Sequence, residues 1–172
     1  MPLSGASFGV DFNPAADRLR IISDDGQNLR HNVNAGGTTL VDTTVNYIVG
    51  TPATGVTGAG YTNNDLSMNT ATTLFDIDST LDQVALQSPP NSGSLAATGK
   101  LGVDTTLQSG FDIYSTVRNG VTIDNEAYAV LATAGASPRF YEINLTTGRA
   151  ILRGAFAGEN AVVDVAIPLD QR

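Results

Sequence analysis

A four-residue pattern recurs along this chain at a spacing that few architectures accept. Phe8-Gly9-Val10-Asp11 returns as Leu101-Gly102-Val103-Asp104, Val162-Val163-Asp164-Val165 is a weaker third copy, and Gly58-Ala59-Gly60-Tyr61 falls between the first two. Asp11 and Asp104 lie 93 positions apart, or two units of about 46, within the roughly 40–50 residues that a four-stranded propeller blade takes. A repeat of that length whose units cannot bury their own apolar faces must stack them. The spacing therefore predicts an all-β chain of antiparallel four-stranded blades.

Local patterning fills in the strands. In the first unit, residues 7–50, strands are expected at Gly9–Phe12, Arg18–Ser23, Asn28–Val33 and Thr38–Val41. Leu19 and Ile21 alternate with Arg18 and Arg20, the period of a pleated strand. Asp24-Asp25-Gly26 marks a hairpin, because Asp-Gly supplies left-handed turn residues. The second unit, 56–100, reads as Gly58–Thr62, Thr73–Ile77, Gln83–Gln87 and Ser94–Thr98. Ser88-Pro89-Pro90-Asn91-Ser92-Gly93 cannot continue a strand, since two prolines remove two donors. The third, 101–156, reads as Gly102–Asp104 extended towards Phe111–Tyr114, then Ala127–Ala132, Phe140–Asn144 and Ala150–Gly154, with Thr146-Thr147-Gly148 as a hairpin. Val162–Ile167, within 160–168, reads as the inner strand of a further blade. The whole, 1–172, is one β-propeller-like domain of about three blades plus a strand of the next.

Charge narrows the function classes. A net charge of −8 with nine Lys and Arg repels phosphate backbones, which argues against nucleic acid. No run of about 18 apolar residues is present, so no membrane span is expected. Without cysteine, disulfide and thiolate chemistry are excluded. That absence, with a Thr/Asn/Gly-rich and Lys-poor composition, points to a secreted bacterial protein. Met1-Pro2-Leu3-Ser4 has neither a charged n-region nor an apolar core, so no signal peptide is expected at this start.

The motifs taken together resemble a bacterial family known only as a domain of unknown function. They are Gly9-Val10-Asp11-Phe12-Asn13-Pro14, Asp17-Arg18-Leu19-Arg20, Ser23-Asp24, Gly26-Gln27-Asn28-Leu29-Arg30 and Asn32. Tyr61-Thr62-Asn63-Asn64, Asp76-Ile77-Asp78-Ser79 with Leu81-Asp82, and Gln87 with Pro89-Pro90-Asn91-Ser92-Gly93 follow. Then come Leu101-Gly102-Val103-Asp104, Gly110-Phe111-Asp112-Ile113 and Tyr141-Glu142-Ile143-Asn144-Leu145-Thr146-Thr147-Gly148. The resemblance covers roughly residues 4–156. It implies an extracellular β-propeller, often found beside anchoring or sorting signals, and transfers no catalytic residue. Members usually carry further blade-like sequence before the segment that begins here at Ser7.

Candidate chemistry is thin. Gly5-Ala6-Ser7-Phe8-Gly9 matches G-x-S-x-G, but the nucleophile elbow needs a strand before the serine and a helix after it, and here a strand follows. His31 is the one histidine, so any Ser-His-Asp site would have to use it. The plainer reading is a hydrogen-bonded strand histidine. Zinc needs three or four ligands, which one His and no Cys do not provide. Asp76, Asp78 and Asp82 place oxygen ligands at spaced positions that calcium could use. Asp and Ser also end strands by bonding their own backbone, so calcium and turn chemistry both stand. Asp17, Arg18 and Arg20, and Asp24, Asp25 and Arg30, read as cross-strand ion pairs. Asn144-Leu145-Thr146 is a glycosylation sequon on an expected hairpin, and turn chemistry explains it equally. No tryptophan is present to stack on sugars.

Two function classes follow. The first is a non-enzymatic extracellular structural or interaction module. Three blades are too few to close a ring of four to eight, so open edges would be completed by other blades or by a homo-oligomer, for example three plus three. The second is a ligand-binding or hydrolytic propeller with a site at the channel mouth, with calcium as its one candidate cofactor.

Overall fold

The computed structural model describes residues 2–67, 69–157 and 161–168. Among these described residues twelve strands form three four-stranded antiparallel sheets, each a meander in chain order. The first holds β1 (Phe8–Asn13), β2 (Arg18–Ser23), β3 (Asn28–His31) and β4 (Thr39–Val41). The second holds β5 (Val56–Tyr61), β6 (Leu74–Asp78), β7 (Gln83–Gln87) and β8 (Leu95–Lys100). The third holds β9 (Ser109–Arg118), β10 (Val121–Leu131), β11 (Arg139–Ile143) and β12 (Ala150–Ala155). The expected all-β, blade-like architecture is what the chain adopts. Among the described residues no helix is long and apolar enough to cross a membrane.

Turn chemistry places the hairpins. Asn13 folds its carboxamide oxygen back onto the N–H groups of Ala15 and Ala16, and Asp17 takes a positive φ of 49° to launch β2. Gly26, at φ 93°, closes the second hairpin by donating to the Ser23 carbonyl. Pro90–Ser92 form one 3₁₀ turn where the two prolines were expected to break the sheet.

The third blade departs from expectation at its inner strand. Leu101–Asp104 lie outside the sheet, with Gly102 at φ 78°. The inner strand is β9, and the counterpart of Gly9-Val10-Asp11 is Gly110-Phe111-Asp112. The similarity of Leu101-Gly102-Val103-Asp104 to the first repeat is one of sequence, not of position. β9 and β10 also run further than expected, joined by Asn119-Gly120 at φ 52° and 77°, the two left-handed residues of a tight hairpin. Residues 161–168 join no strand ladder. They lie against β9, where the Ile167 N–H donates to Asp112 Oδ2 at 2.5 Å.

The sheets stack through their inner strands. β5 is buried along its whole length, because β1 covers one side and β9 the other. Between the first two blades lie Ile22, Val45, Val56, Ala59, Tyr61 and Leu74. Between the second and third lie Ile77, Val84, Phe111, Ile113, Ala129 and Leu131. Glycine makes this approach feasible. A Cβ on Gly9 would stand 2.5 Å from the Ala59 nitrogen, and one on Gly58 would stand 2.7 Å from Phe111 Cβ. Both are closer than any real side chain tolerates.

Gly9→Val should therefore cost about 1–3 kcal/mol by overpacking, read as a lower urea midpoint. Gly154→Ala, where nothing lies within 4 Å, should shift stability by no more than about 0.5 kcal/mol.

Candidate functional site

The inner strands carry a repeated carboxylate device. In β1, Asp11 accepts the N–H of its own neighbour Phe12 at 2.7 Å through Oδ1, and the N–H of Tyr61 in β5 at 2.6 Å through Oδ2. In β9, Asp112 accepts Ile113 N–H at 2.7 Å and Ile167 N–H at 2.5 Å in the same manner. The glycine two residues earlier lets the neighbouring backbone approach, and the aspartate then bonds it. Burial pushes the Asp11 carboxyl up to about 7, against the stabilising hydrogen bond from Tyr61, and the Asp112 charge adds to the rise. Asp112 is also raised, first by burial. Asp164, read from sequence as the third copy, holds a different place. It sits over Gly110, as Gly58 and Ala59 sit over Gly9, and Ile167 three residues later fills the part of Tyr61.

Near the inner strands a cleft of about 460 Å³ separates Phe8 and Val10 from Val163 and Asp164, with Ser7 and Ser109 on its walls. Ser7 bonds Asp24 through both its backbone groups. His31 lies at the opposite end of the same sheet, paired with Leu19 and bonded to Thr39 Oγ1 at 2.9 Å. The two are not brought together.

The three aspartates considered for calcium have separate tasks. Asp78 Oδ1 accepts the N–H groups of Thr80 and Leu81, and its Oδ2 accepts the Tyr47 hydroxyl at 2.9 Å. Asp82 Oδ1 accepts the Thr105 N–H at 2.6 Å and its hydroxyl at 2.9 Å. Asp76 is wholly buried, with neither oxygen partnered. Burial raises its pKa well above the usual carboxylate range, opposed by the Arg20 charge. Asp76 and Asp78 share one sheet face and Asp82 lies in the following turn. No group of three or more metal-ligating His, Cys, Asp or Glu side chains occurs among the described residues.

A buried arginine network escaped the sequence reading. Arg20 is 1% exposed and donates to Asn28 Oδ1 at 2.6 Å, Asp42 Oδ2 at 2.7 Å, Asn91 Oδ1 at 2.8 Å and the Tyr61 hydroxyl at 3.2 Å. Arg30 reaches the same Asp42. The ionic partner of both arginines is thus Asp42 and not Asp17, Asp24 or Asp25. Asp24 instead accepts the Ala6 and Ser7 N–H groups, and Asp25 accepts the Ser23 hydroxyl. At the sequon, Asn144 Oδ1 accepts the Thr146 and Thr147 N–H groups in an exposed turn. Satisfying this buried guanidinium takes four partners from four separate stretches of the chain, of which Asp42 alone is charged, and no local motif announces them.

Comparison with known proteins adds one result. A family model described as a domain of unknown function, DUF4394, matches residues 1–166. The chain belongs to that family. The match spans all three blades and nearly all of the segment laid over β9. No curated protein and no solved structure matches the chain.

Asp11 yields a pH test. Its carboxyl titrates at 3.8 unfolded and at about 7 folded, so between those values the folded chain binds more protons. Its contribution to stability is then present at low pH and lost as pH rises towards about 7. The melting temperature of Asp11→Asn relative to wild type should accordingly rise across that window. A constant difference between pH 4 and pH 8 would contradict the assignment.

Proposed function

We propose that this chain is a non-enzymatic structural or interaction module that works outside the cell and associates through its open blade faces. One observation carries the reading. By register, Phe8, Val10, Phe12, Leu19, Ile21 and Val41 lie on the side of the first sheet turned away from the second, and among the described residues no sheet covers them. Val10 is 46% and Phe12 48% exposed. Contiguous apolar surface of this kind marks an interaction site, and covering the exposed half of each such side chain stabilises by about 1 kcal/mol. The cysteine-free, Lys-poor and acidic composition supports an extracellular setting.

The expected outcome in light scattering after size exclusion is a mass that rises with protein concentration. A stable, non-aggregating monomer throughout counts against association.

A second reading, a ligand-binding or hydrolytic propeller that uses calcium, draws support from Asp76. A wholly buried carboxylate with two unpartnered oxygens needs a proton or a cation. Chelator should lower the melting temperature at neutral pH if a cation supplies that need. An unchanged melt removes the reading.

A further inference from the structure

At one end of the first two blades, the turn after β1 and the loop after β5 leave a cavity of about 370 Å³ between them. That is near the lower end of the volumes that hold small organic ligands. Phe12, Pro14 and Leu66 give it apolar walls, and Asp17 and Asp65 are its two titratable residues. Leu66 is 95% exposed, the most of any large apolar side chain among the described residues. Neither Phe12 nor Leu66 belongs to an apolar core, so the packing of the chain itself gives them no task.

The walls are held from behind. Asn13 braces its own turn by accepting the N–H groups of Ala15 and Ala16. Across the cavity, Asn64 donates its N–H to Ser115 Oγ at 3.0 Å and its Nδ2 hydrogens to the carbonyls of Tyr61 and Ile113, each at 3.2 Å. Asp65 accepts the N–H groups of Ser67 at 2.9 Å and Thr122 at 2.7 Å. A cavity braced in this way loses little to ordering when it is filled.

The charge around it is of one sign. Burial opposes ionisation of Asp65, but the hydrogen bonds from Thr122 and Ser67 prevail and hold its carboxyl below the usual range. Asp17 is exposed, and among the described residues its carboxylate takes no hydrogen bond and no ion pair. Arg18, next to it, spends its Nη1 on the carbonyls of Ala16 and Asp17 at 3.4 and 2.6 Å. An anionic ligand would meet both carboxylates and a net charge of −8, which repels it. A neutral ligand would leave the Asp17 carboxylate without use.

We propose that this cavity binds an organic ammonium ion, with its apolar stem between Phe12, Pro14 and Leu66 and its charged head on Asp17. Asp65 adds to the attracting field from below the surface. A small free amine and a lysine side chain of another molecule share this chemistry, and both are tested.

The probe is phenethylammonium, compared with phenethyl alcohol and phenylacetate, which keep the ring and change the head. Titration into the full chain is followed by the backbone amide resonances of Asp17 and Leu66. Phenethylammonium should shift both saturably, with a dissociation constant of about 1 mM. The alcohol should bind about fivefold more weakly, and phenylacetate more weakly still. Asp17→Asn keeps the turn, since Asn tolerates the positive φ of 49° that Asp17 adopts. It should remove the preference for the ammonium and leave binding of the alcohol unchanged. Leu66→Ala, at an exposed position, should weaken both. A capped tripeptide with lysine at its centre shifts the same resonances if the natural source is a side chain, and leaves them unmoved if it is a small amine. Equal binding of alcohol and ammonium overturns the proposal. So does ammonium binding that Asp17→Asn leaves unchanged, or the absence of any shift at Leu66. None of these outcomes depends on whether the chain associates.

Discussion

The approach of neighbouring inner strands to within backbone contact governs the rest of the structure. It requires glycine at Gly9, Gly58 and Gly110, because a side chain there would collide with the neighbouring strand or, at Gly110, with the segment that carries Asp164. It also creates a problem, since edge-on strands brought face to face do not satisfy each other's polar groups. Asp11 and Asp112 answer it by accepting an N–H from the adjacent strand or segment. Partial burial of those carboxylates in the seam raises their proton affinity, which links the stacking of the blades to pH.

A second polar device joins the first two blades further out. Arg20 gathers Asp42 from its own blade, Asn91 from the turn after β7 and Tyr61 from β5. Removing one partner of such a buried pair is far more damaging than the pair is stabilising, because it leaves a charge in low dielectric. The network thereby fixes how the second blade sits on the first more than it adds to net stability. Asp76 and Gln87, on one face of the second sheet, keep unpartnered oxygens, so polar satisfaction is unevenly distributed across this interface.

What was legible in the sequence was local. Asp24-Asp25-Gly26 and Thr146-Thr147-Gly148 marked hairpins because turn geometry depends on a few adjacent residues. Alternation over Arg18–Ser23 located β2 to the residue. Asn119-Gly120 carries an equally local signal, and it places the hairpin after an inner strand at β9 and not at Leu101-Gly102-Val103-Asp104. That motif misled because similarity to Phe8-Gly9-Val10-Asp11 says nothing of which strand a segment pairs with. The role of Asp76 and the partners of Arg20 were illegible for a different reason. Both depend on residues distant in sequence, and a pattern of charges near a hairpin does not distinguish a solvated pair from a buried one.

The burial of β5 on both sides has a consequence for how the chain comes apart. The second sheet owes its core to Ile22 on one side and to Phe111 and Ile113 on the other. It has no apolar interior of its own to retreat to when either neighbour opens. Repeats in many stacked proteins fray from the ends and leave a stable middle. In this chain the middle repeat is the one most indebted to its neighbours, so loss of an outer blade withdraws half of the support of β5. Three sheets that look modular in topology therefore behave as one cooperative unit.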